Sequence, residues 1–573
     1  MRMKGLVVAA LAVTVLAGLR FAPVSLQAQG GSAIAGVVTS KEEGKMEGVV
    51  VTARKDGGNS QVSVVSDKDG KYAFPATHLD AGSYKLSIRA VGYDLTETGA
   101  VTVAAGKSAK ADLPLVKAKN LGQQLTNIEW LMNITSRTPE QKDRMVHQLL
   151  SCNYCHTYRR IMITKYSAEQ FMPVIHRMAK YYADGTAVSD DNRRGNIARI
   201  QEPGRVKMLE ESPNWGASPG MPRTEVAEFW SSLNLSGGRT ALPFELKQTL
   251  PRPKGAATKV IITEWDIPTA KTSTHDSAID KDGVLWFTDE SRNYLGRFDT
   301  KTKTFKEYLP PTIPDVPAGS IPGTRDVVVG DDGMIWMPTR VDKAGSKLLR
   351  FDPKTEKYSF IEGVQAQFIS KGPDGKIWAG FTRVDPVTLK ADGQFSPYST
   401  PDLVPKGAAG YAGNTEIDSK GNPWMLTQIG PGGAMGYDVA AKKGIWWPVE
   451  NAMGRRGAID HEDNLWYGEY RGDSVVKVDT KTGKFQRWKL DPYAGPYTSS
   501  HPDKKGRVYA PSNMAERLYR IDPKTNQIIA YVWPTEFDTK KINYQPGTEK
   551  SDKPIMWFTN MRTARVSRVE VTE

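Results

Sequence analysis

From about Gly30 to Val116 apolar and polar residues alternate in short runs between Gly and Asp-Gly turns, as in Gly48-Val-Val-Val-Thr-Ala-Arg54 and Tyr84-Lys-Leu-Ser-Ile-Arg89. A period of two marks half-buried strands, so the spacing predicts a small all-β sandwich over 30–117. Across 118–240 the period becomes that of amphipathic helices, over Glu140 to Leu150, Ala168 to Tyr182 and Arg223 to Leu235. Gly237-Gly238 and Leu250-Pro-Arg-Pro-Lys-Gly255 then mark a linker, 241–258.

From 259 to 573 the chain repeats. Asp282-Gly-Val-Leu-Trp286 recurs in varied form with anchors Trp336, Trp378, Trp424, Trp466, Tyr509 and Trp557, separated by 50, 42, 46, 42, 43 and 48 residues. That is the length of one four-stranded blade, so the repeats predict a seven-bladed β-propeller. A second phrase trails most anchors, as in Gly296-Arg-Phe-Asp-Thr-Lys-Thr302 and Tyr519-Arg-Ile-Asp-Pro-Lys-Thr525, and reads as a strand entering a polar turn. After Trp557 too little chain remains for a full blade, whereas Lys259-Val-Ile-Ile-Thr-Glu-Trp-Asp-Ile-Pro268 has the pattern of an outer strand. It is expected to pair with the strand around Arg565 to Val571, removing an open edge and leaving the helical segment near the first and seventh blades. The fold class expected is multidomain and mainly β: a transthyretin-like β-sandwich, a small α-helical domain and a seven-bladed propeller.

Composition narrows the setting. Arg2 and Lys4 before the apolar stretch Leu6 to Leu19, with Leu26-Gln27-Ala28 as cleavage site, read as a signal peptide, 1–28, which predicts a periplasmic or secreted protein. Removing Arg2, Lys4 and Arg20 lowers the net charge from +13 to +10. The remaining bases are interspersed with acids, which fits docking to an acidic periplasmic redox partner and no nucleic acid. With only two cysteines, neither a disulfide framework nor a four-thiolate zinc site can form within the chain.

Those two cysteines stand in Cys152-Asn-Tyr-Cys155-His156. Two thiols one helical turn apart can each bond a haem vinyl group, and the adjacent imidazole can ligate the iron, so the motif predicts a covalent c-type haem with His156 as proximal ligand. A thioredoxin-like pair would need a βαβ context, and zinc would need further ligands. For the distal ligand the chain offers Met162, Met172, His176, Met178, Met208 and Met221. Cys155-His-Thr-Tyr-Arg-Arg160 with Phe171, His176 and Met178 resembles the haem domains of quinohaemoprotein amine dehydrogenases, and that resemblance implies Met178. Pro219-Gly-Met-Pro222 before a helix resembles ordinary single-haem cytochromes c and implies Met221 instead; His176 ranks third. The resemblance to amine dehydrogenases stops at this segment, because no third cysteine exists for a crosslinked quinone.

Two further resemblances bear on function. Ile34-Ala-Gly36, Gly48 to Val51, Ser66 to Tyr72, Gly82-Ser-Tyr84 and Gly92-Tyr93 resemble the carboxypeptidase regulatory-like domain, which implies adhesion, spacing or carbohydrate contact. The Trp-Phe-Thr, Gly-Arg-Phe-Asp and Glu-Tyr-Leu-Pro phrases of 260–573 resemble the streptogramin lyase (virginiamycin B lyase-like) propellers, which use a histidine base and Mg2+ held by nearby glutamates. His275, eleven before Trp286, matches that histidine, with Asp289 and Glu290 as candidate Mg2+ ligands. Equivalent positions in the other blades are Arg325, Gln367, Gly413, Arg455, Thr498 and Pro546, and Glu469 stands three past its anchor. The resemblance implies a rim site of His275, Arg325, Arg455, Asp289 and Glu469, although Ser273 replaces the carboxylate of the family's Glu-x-His motif. His461 and His501 fall in turns, and Arg471-Gly-Asp-Ser474 is hairpin chemistry rather than an adhesion motif. The reading favoured is an exported haem protein carrying electrons, its propeller binding a small organic or carbohydrate ligand or a partner. A C–O lyase with an accessory haem, and a binding module with a haem relay, are the alternatives.

Overall fold

The computed structural model describes residues 31–97, 99–134, 157–181, 214–215, 221–269, 272–289, 294–311, 323–340, 347–364, 368–410, 415–450, 454–470, 472–548 and 550–573, the side chains of 176–181, 214–215, 221–222, 340, 409–410 and 428–429 excepted. The expected signal peptide, the helix over Glu140–Leu150, Cys152, Cys155, His156, Met208 and Glu290 lie outside these residues, as do the side chains of His176, Met178 and Met221. Among the described residues no helix is long and apolar enough to cross a membrane.

The first segment forms two sheets, as its period predicts. In one, Ser32–Ser40 pairs antiparallel with Lys71–Pro75 and parallel with Leu113–Lys117. In the other, Val50–Lys55 lies between Ser60–Val65 and Gly82–Arg89. Ile34, Val38, Val51, Phe74, Leu86 and Leu113 fill the core between them.

Seven successive sheets, counted among the described residues, follow from Val260 onward, each built on a strand carrying one anchor: Val284–Asp289, Ile335–Arg340, Ile377–Ala379, Pro423–Ile429, Asn464–Glu469, Val508–Ser512 and Ile555–Asn560. The anchor rings are at most 2% exposed, so they pack between sheets. Three of their indole N–H groups donate to an aspartate in the preceding turn, Trp286 to Asp280, Trp424 to Asp418 and Trp466 to Asp460. The trailing phrases are turns closed by their own aspartate, whose carboxylate accepts backbone N–H groups two or three residues on, as Asp299 does from Lys301 and Thr302. Four residues after each such aspartate the backbone turns left-handed, at Lys303, Glu356, Leu389, Lys442, Gly483 and Asn526.

The pairing expected of the outer strand occurs. Val260–Asp266 runs antiparallel to Arg565–Val571 along its full length, from Val260 opposite Val571 to Asp266 opposite Arg565. Trp265 stacks on Trp557, with ring centroids 5.5 Å apart, and both join Leu285 and Phe298 of the first sheet. The other side of the same strand pairs with Ser60–Val65 of the sandwich, so one eight-stranded sheet runs from the seventh blade into the first domain. Glu264, buried at this seam, accepts from Gln61 at 2.7 Å and from Trp533 at 3.2 Å, and burial raises its carboxyl above the usual range.

The described helices are α1 (Asn127–Asn133), α2 (Arg159–Met162), α3 (Ala168–Tyr181) and α4 (Arg223–Leu233). Thr126 and Glu129 form a capping box at the start of α1. Trp130, Tyr158, Ile161, Met162, Phe171 and Trp230 share one core with Trp466, Trp488, Val508 and Met514 of the fifth and sixth sheets. This corrects the expectation that the helices sit by the first and seventh blades: the sandwich takes that place. The expected linker is tied down, because Asn133 Oδ1 accepts from Lys247 and Gln248 N–H and Glu129 Oε1 accepts from Leu250 N–H. Gly48, at φ 79°, faces Pro253 so closely that a Cβ would lie 2.2 Å from its carbonyl oxygen.

Candidate functional site

A cavity of about 410 Å³ lies along the axis, with wall residues from six of the sheets and from the segment 498–501 that precedes the sixth. In five sheets the inner residue facing the anchor across the ladder is Ala278, Val328, Ser370, Glu416 or Ala458. Four are small or apolar, and the fourth blade alone among these five places a carboxylate there. Burial pushes the Glu416 carboxyl up to about 7; Lys541 and Arg456 pull the other way and Asp326 adds to the rise.

Beneath Glu416 the channel is crossed by an ion pair. Arg456 of the fifth sheet donates through both terminal nitrogens to the Asp276 carboxylate of the first, with Nη2 at 2.7 Å from Oδ2. The two residues are almost wholly buried, and the Phe368 ring lies 5.0 Å from the guanidinium. Burial works against the Arg456 charge, but Asp276 and Asp326 outweigh it and hold the group more firmly protonated than usual. Asp326 accepts from Val327 N–H at 2.8 Å and Ile369 N–H at 3.1 Å, and Lys541 Nζ stands 3.5 Å away. Nearby Lys540 donates to both oxygens of Asp538, and burial brings its ammonium down to about 8 against the opposing pull of that carboxylate.

None of the expected rim residues lines the cavity, although His275 touches Asp276 of the septum. His275 is 1% exposed, and its Nδ1 is 2.7 Å from both Asp276 Oδ2 and the Arg325 carbonyl oxygen. Both neighbours are acceptors, so Nδ1 carries the hydrogen. Arg325 is likewise 1% exposed. Asp289 is buried and accepts from Ser273 N–H at 2.8 Å. Arg455 stacks on Tyr470 and Tyr497, 5.3 and 4.8 Å from the ring centroids. Glu469 is paired with Arg487 at 2.8 Å, and burial raises its carboxyl despite that partner. The structure therefore brings His275 to Arg325 and leaves Glu469 in an ion pair of its own. Among the described residues no group of three or more His, Cys, Asp or Glu side chains could hold a metal ion.

Sequence reasoning missed Asp276, Asp326, Arg456 and Glu416. Three of them directly follow His275, Arg325 and Arg455, and the fourth was visible on aligning the residues paired with the anchors.

Residues 33–116 match the carboxypeptidase regulatory-like domain family. No curated protein matches the chain. Among solved structures it is similar to the selenomethionine-substituted virginiamycin B lyase of Staphylococcus aureus, at 16% identity and TM-score 0.43 over 54% of this chain and 99% of that one. A streptogramin B lyase matches at 18% and 0.43, over 55% and 99%. The hydrazine synthase of Kuenenia stuttgartiensis matches at 13% and 0.41, over 54% and 98%. No residue role carries over from these likenesses.

Proposed function

We propose that the chain is an exported c-type haem protein that carries electrons for a periplasmic redox partner, its seven-bladed propeller serving as a binding module. The observation that carries this reading is the motif Cys152-Asn-Tyr-Cys155-His156. The donor set suits the group: two thiols at thioether spacing and a neighbouring imidazole. The chain just after the motif also suits it, because Tyr158, Ile161 and Met162 enter a buried core with Trp130, Phe171 and Trp230, the apolar setting by which a protein tunes a haem. Cys152 and Cys155 would hold the porphyrin and His156 the iron, with Met178 as distal ligand ahead of Met221 and His176. A bound haem supplies reversible one-electron exchange.

Access supports an electron-carrying role. Thr157, one peptide unit from His156, lines a cavity of about 820 Å³ together with Arg89, Gln124, Arg159, Glu516 and Glu536, where the sandwich, the helices and the sixth sheet meet. Polar and charged groups at that mouth suit a transient, charge-guided encounter. The lyase alternative needs an accessible base, whereas His275 is buried with Nδ1 engaged. The propeller therefore enters this proposal as a binding module.

The test is an absorption spectrum of protein matured in a periplasm, with and without dithionite, followed by acid-acetone extraction. Haem that stays on the polypeptide, and is lost in Cys152→Ala/Cys155→Ala, is expected. Complete release of the haem would overturn the reading.

A further inference from the structure

The axial cavity above the septum holds polar groups that no protein partner satisfies. Glu416, half-buried in the wall, makes no hydrogen bond or ion pair among the described residues. Around it stand donors, Thr415 beside it in the chain and Arg456 on the next sheet. Arg456 is 7% exposed, and its Nε–H has no hydrogen-bond partner even though its two terminal nitrogens are taken by Asp276. Thr415, 1% exposed and also in the wall, has a hydroxyl without a partner. Lys541 donates to the Val327 carbonyl oxygen at 3.2 Å and faces Asp326 at 3.5 Å, yet it keeps about a third of its side chain open, at 32%, so its ammonium has a further N–H for a ligand. Buried polar groups left unpaired are costly, so a cavity that gathers an unpaired carboxylate, two unpaired donors and a partly open ammonium favours a ligand carrying both charges. Half-buried Ile279, Val329, Ile417 and Ile459 add apolar wall between these poles and the outside.

The geometry points to a binding site for a small zwitterion, an α-amino acid with an aliphatic side chain, whose ammonium is received by Glu416 and whose carboxylate is received by the open side of Lys541, with the Arg456 guanidinium and the Thr415 hydroxyl buried behind it. A volume of about 410 Å³ falls within the usual range for small-molecule sites. The septum gives the site its floor, so the ligand enters from the end of the channel away from His275. A neutral sugar would leave the Glu416 charge uncompensated, and a simple carboxylic acid would meet it as a like charge. The inference rests on reading the propeller as a binding module and is independent of the haem.

Isothermal titration of the full-length holoprotein at pH 8 with L-leucine tests it, alongside leucinamide, which lacks the carboxylate, and 4-methylpentanoate, which lacks the ammonium. Leucine is expected to bind and each analogue to bind roughly tenfold to a hundredfold more weakly, the usual effect of losing a charged hydrogen bond. Glu416→Gln and Lys541→Met should each weaken leucine to a similar degree while leaving far-UV circular dichroism and the haem spectrum unchanged. Analogues that bind as well as leucine, or a Glu416→Gln protein that binds it undiminished, would overturn the assignment. Sugars that bind where leucine does not, with the signal abolished in Glu416→Gln, would overturn the zwitterion and leave the binding module standing. Binding of neither class would overturn both.

Discussion

Replacing Glu416 by Gln isolates one titration inside the propeller. In the folded protein burial holds this carboxyl up to about 7, against a reference value of 4.5. A raised acid binds its proton more tightly when folded, so its contribution to stability is complete below the unfolded pKa and is lost as pH rises through the folded one. The difference of about 2.5 units corresponds to roughly 3 kcal/mol at about 1.36 kcal/mol per unit. Partial exposure of Glu416 lets water reduce this, and about 1–3 kcal/mol is the working range. Glutamine has no charge to desolvate. The variant and the parent should therefore melt together near pH 4.5, diverge through pH 5–7 and stay apart above it, with Glu416→Gln the more stable by a few degrees. Scanning calorimetry across pH 4.5–9 measures the gap. Asp326, Lys541 and Arg456 face the same space but are present in both proteins, so they largely cancel in the difference. Parallel melting curves at all pH values would refute the argument, and a variant less stable at pH 8 would show that the carboxylate has a stabilising partner.

Arg456→Met should lower the melting transition strongly, by about 3–5 kcal/mol, because it leaves Asp276 buried without its partner. The double change with Asp276→Asn should recover part of that loss in the same calorimetry, and no recovery would mean the pair is not the cause. Removing the sandwich, residues 31–117, bares the outer side of Val260–Asp266, and light scattering should then report concentration-dependent association through that edge; a monomer as stable as the parent would refute the shared-sheet account. Met178→Ala should abolish the sulfur-to-iron band at the red end of the oxidised spectrum, whereas loss of the band only in Met221→Ala would reverse the order of the two ligands.

The strands, the anchors and the pairing of Val260–Asp266 with the C-terminal strand could be read from the sequence because each depends on a short period: alternation for the strands, and Trp at blade spacing for the anchors. The docking of the helices could not. Ile128 N–H donates to the Met514 carbonyl oxygen and Asn127 Oδ1 accepts from Tyr158 N–H, contacts between distant surfaces that leave no periodic trace. The pairing of Ser60–Val65 with the seventh blade is equally silent, because it is made by backbone groups that every residue carries.

The site was missed by a single residue, and the reason is local. Reasoning from the anchors selected His275 and Arg455, but the ladders of the first and fifth sheets slip just there, between Thr274 and Ser277 and between Gly454 and Gly457. A bulge adds a residue and re-aims the side chains around it, so a count of positions back from the anchor no longer predicts which side chain reaches the channel. The two bulges occupy the same place in two blades that are not neighbours. In one the re-aimed residue is Asp276 and in the other Arg456, and they meet across the lumen as its septum. In the fourth blade the slip lies farther away, between Ala409 and Gly410, and Glu416 and Ile417 pair regularly with Trp424 and Pro423, so Glu416 keeps its place opposite the anchor. The carboxylate thus stands on a regular ladder and the floor beneath it on irregular ones, which is why only the former is recoverable by aligning the repeats.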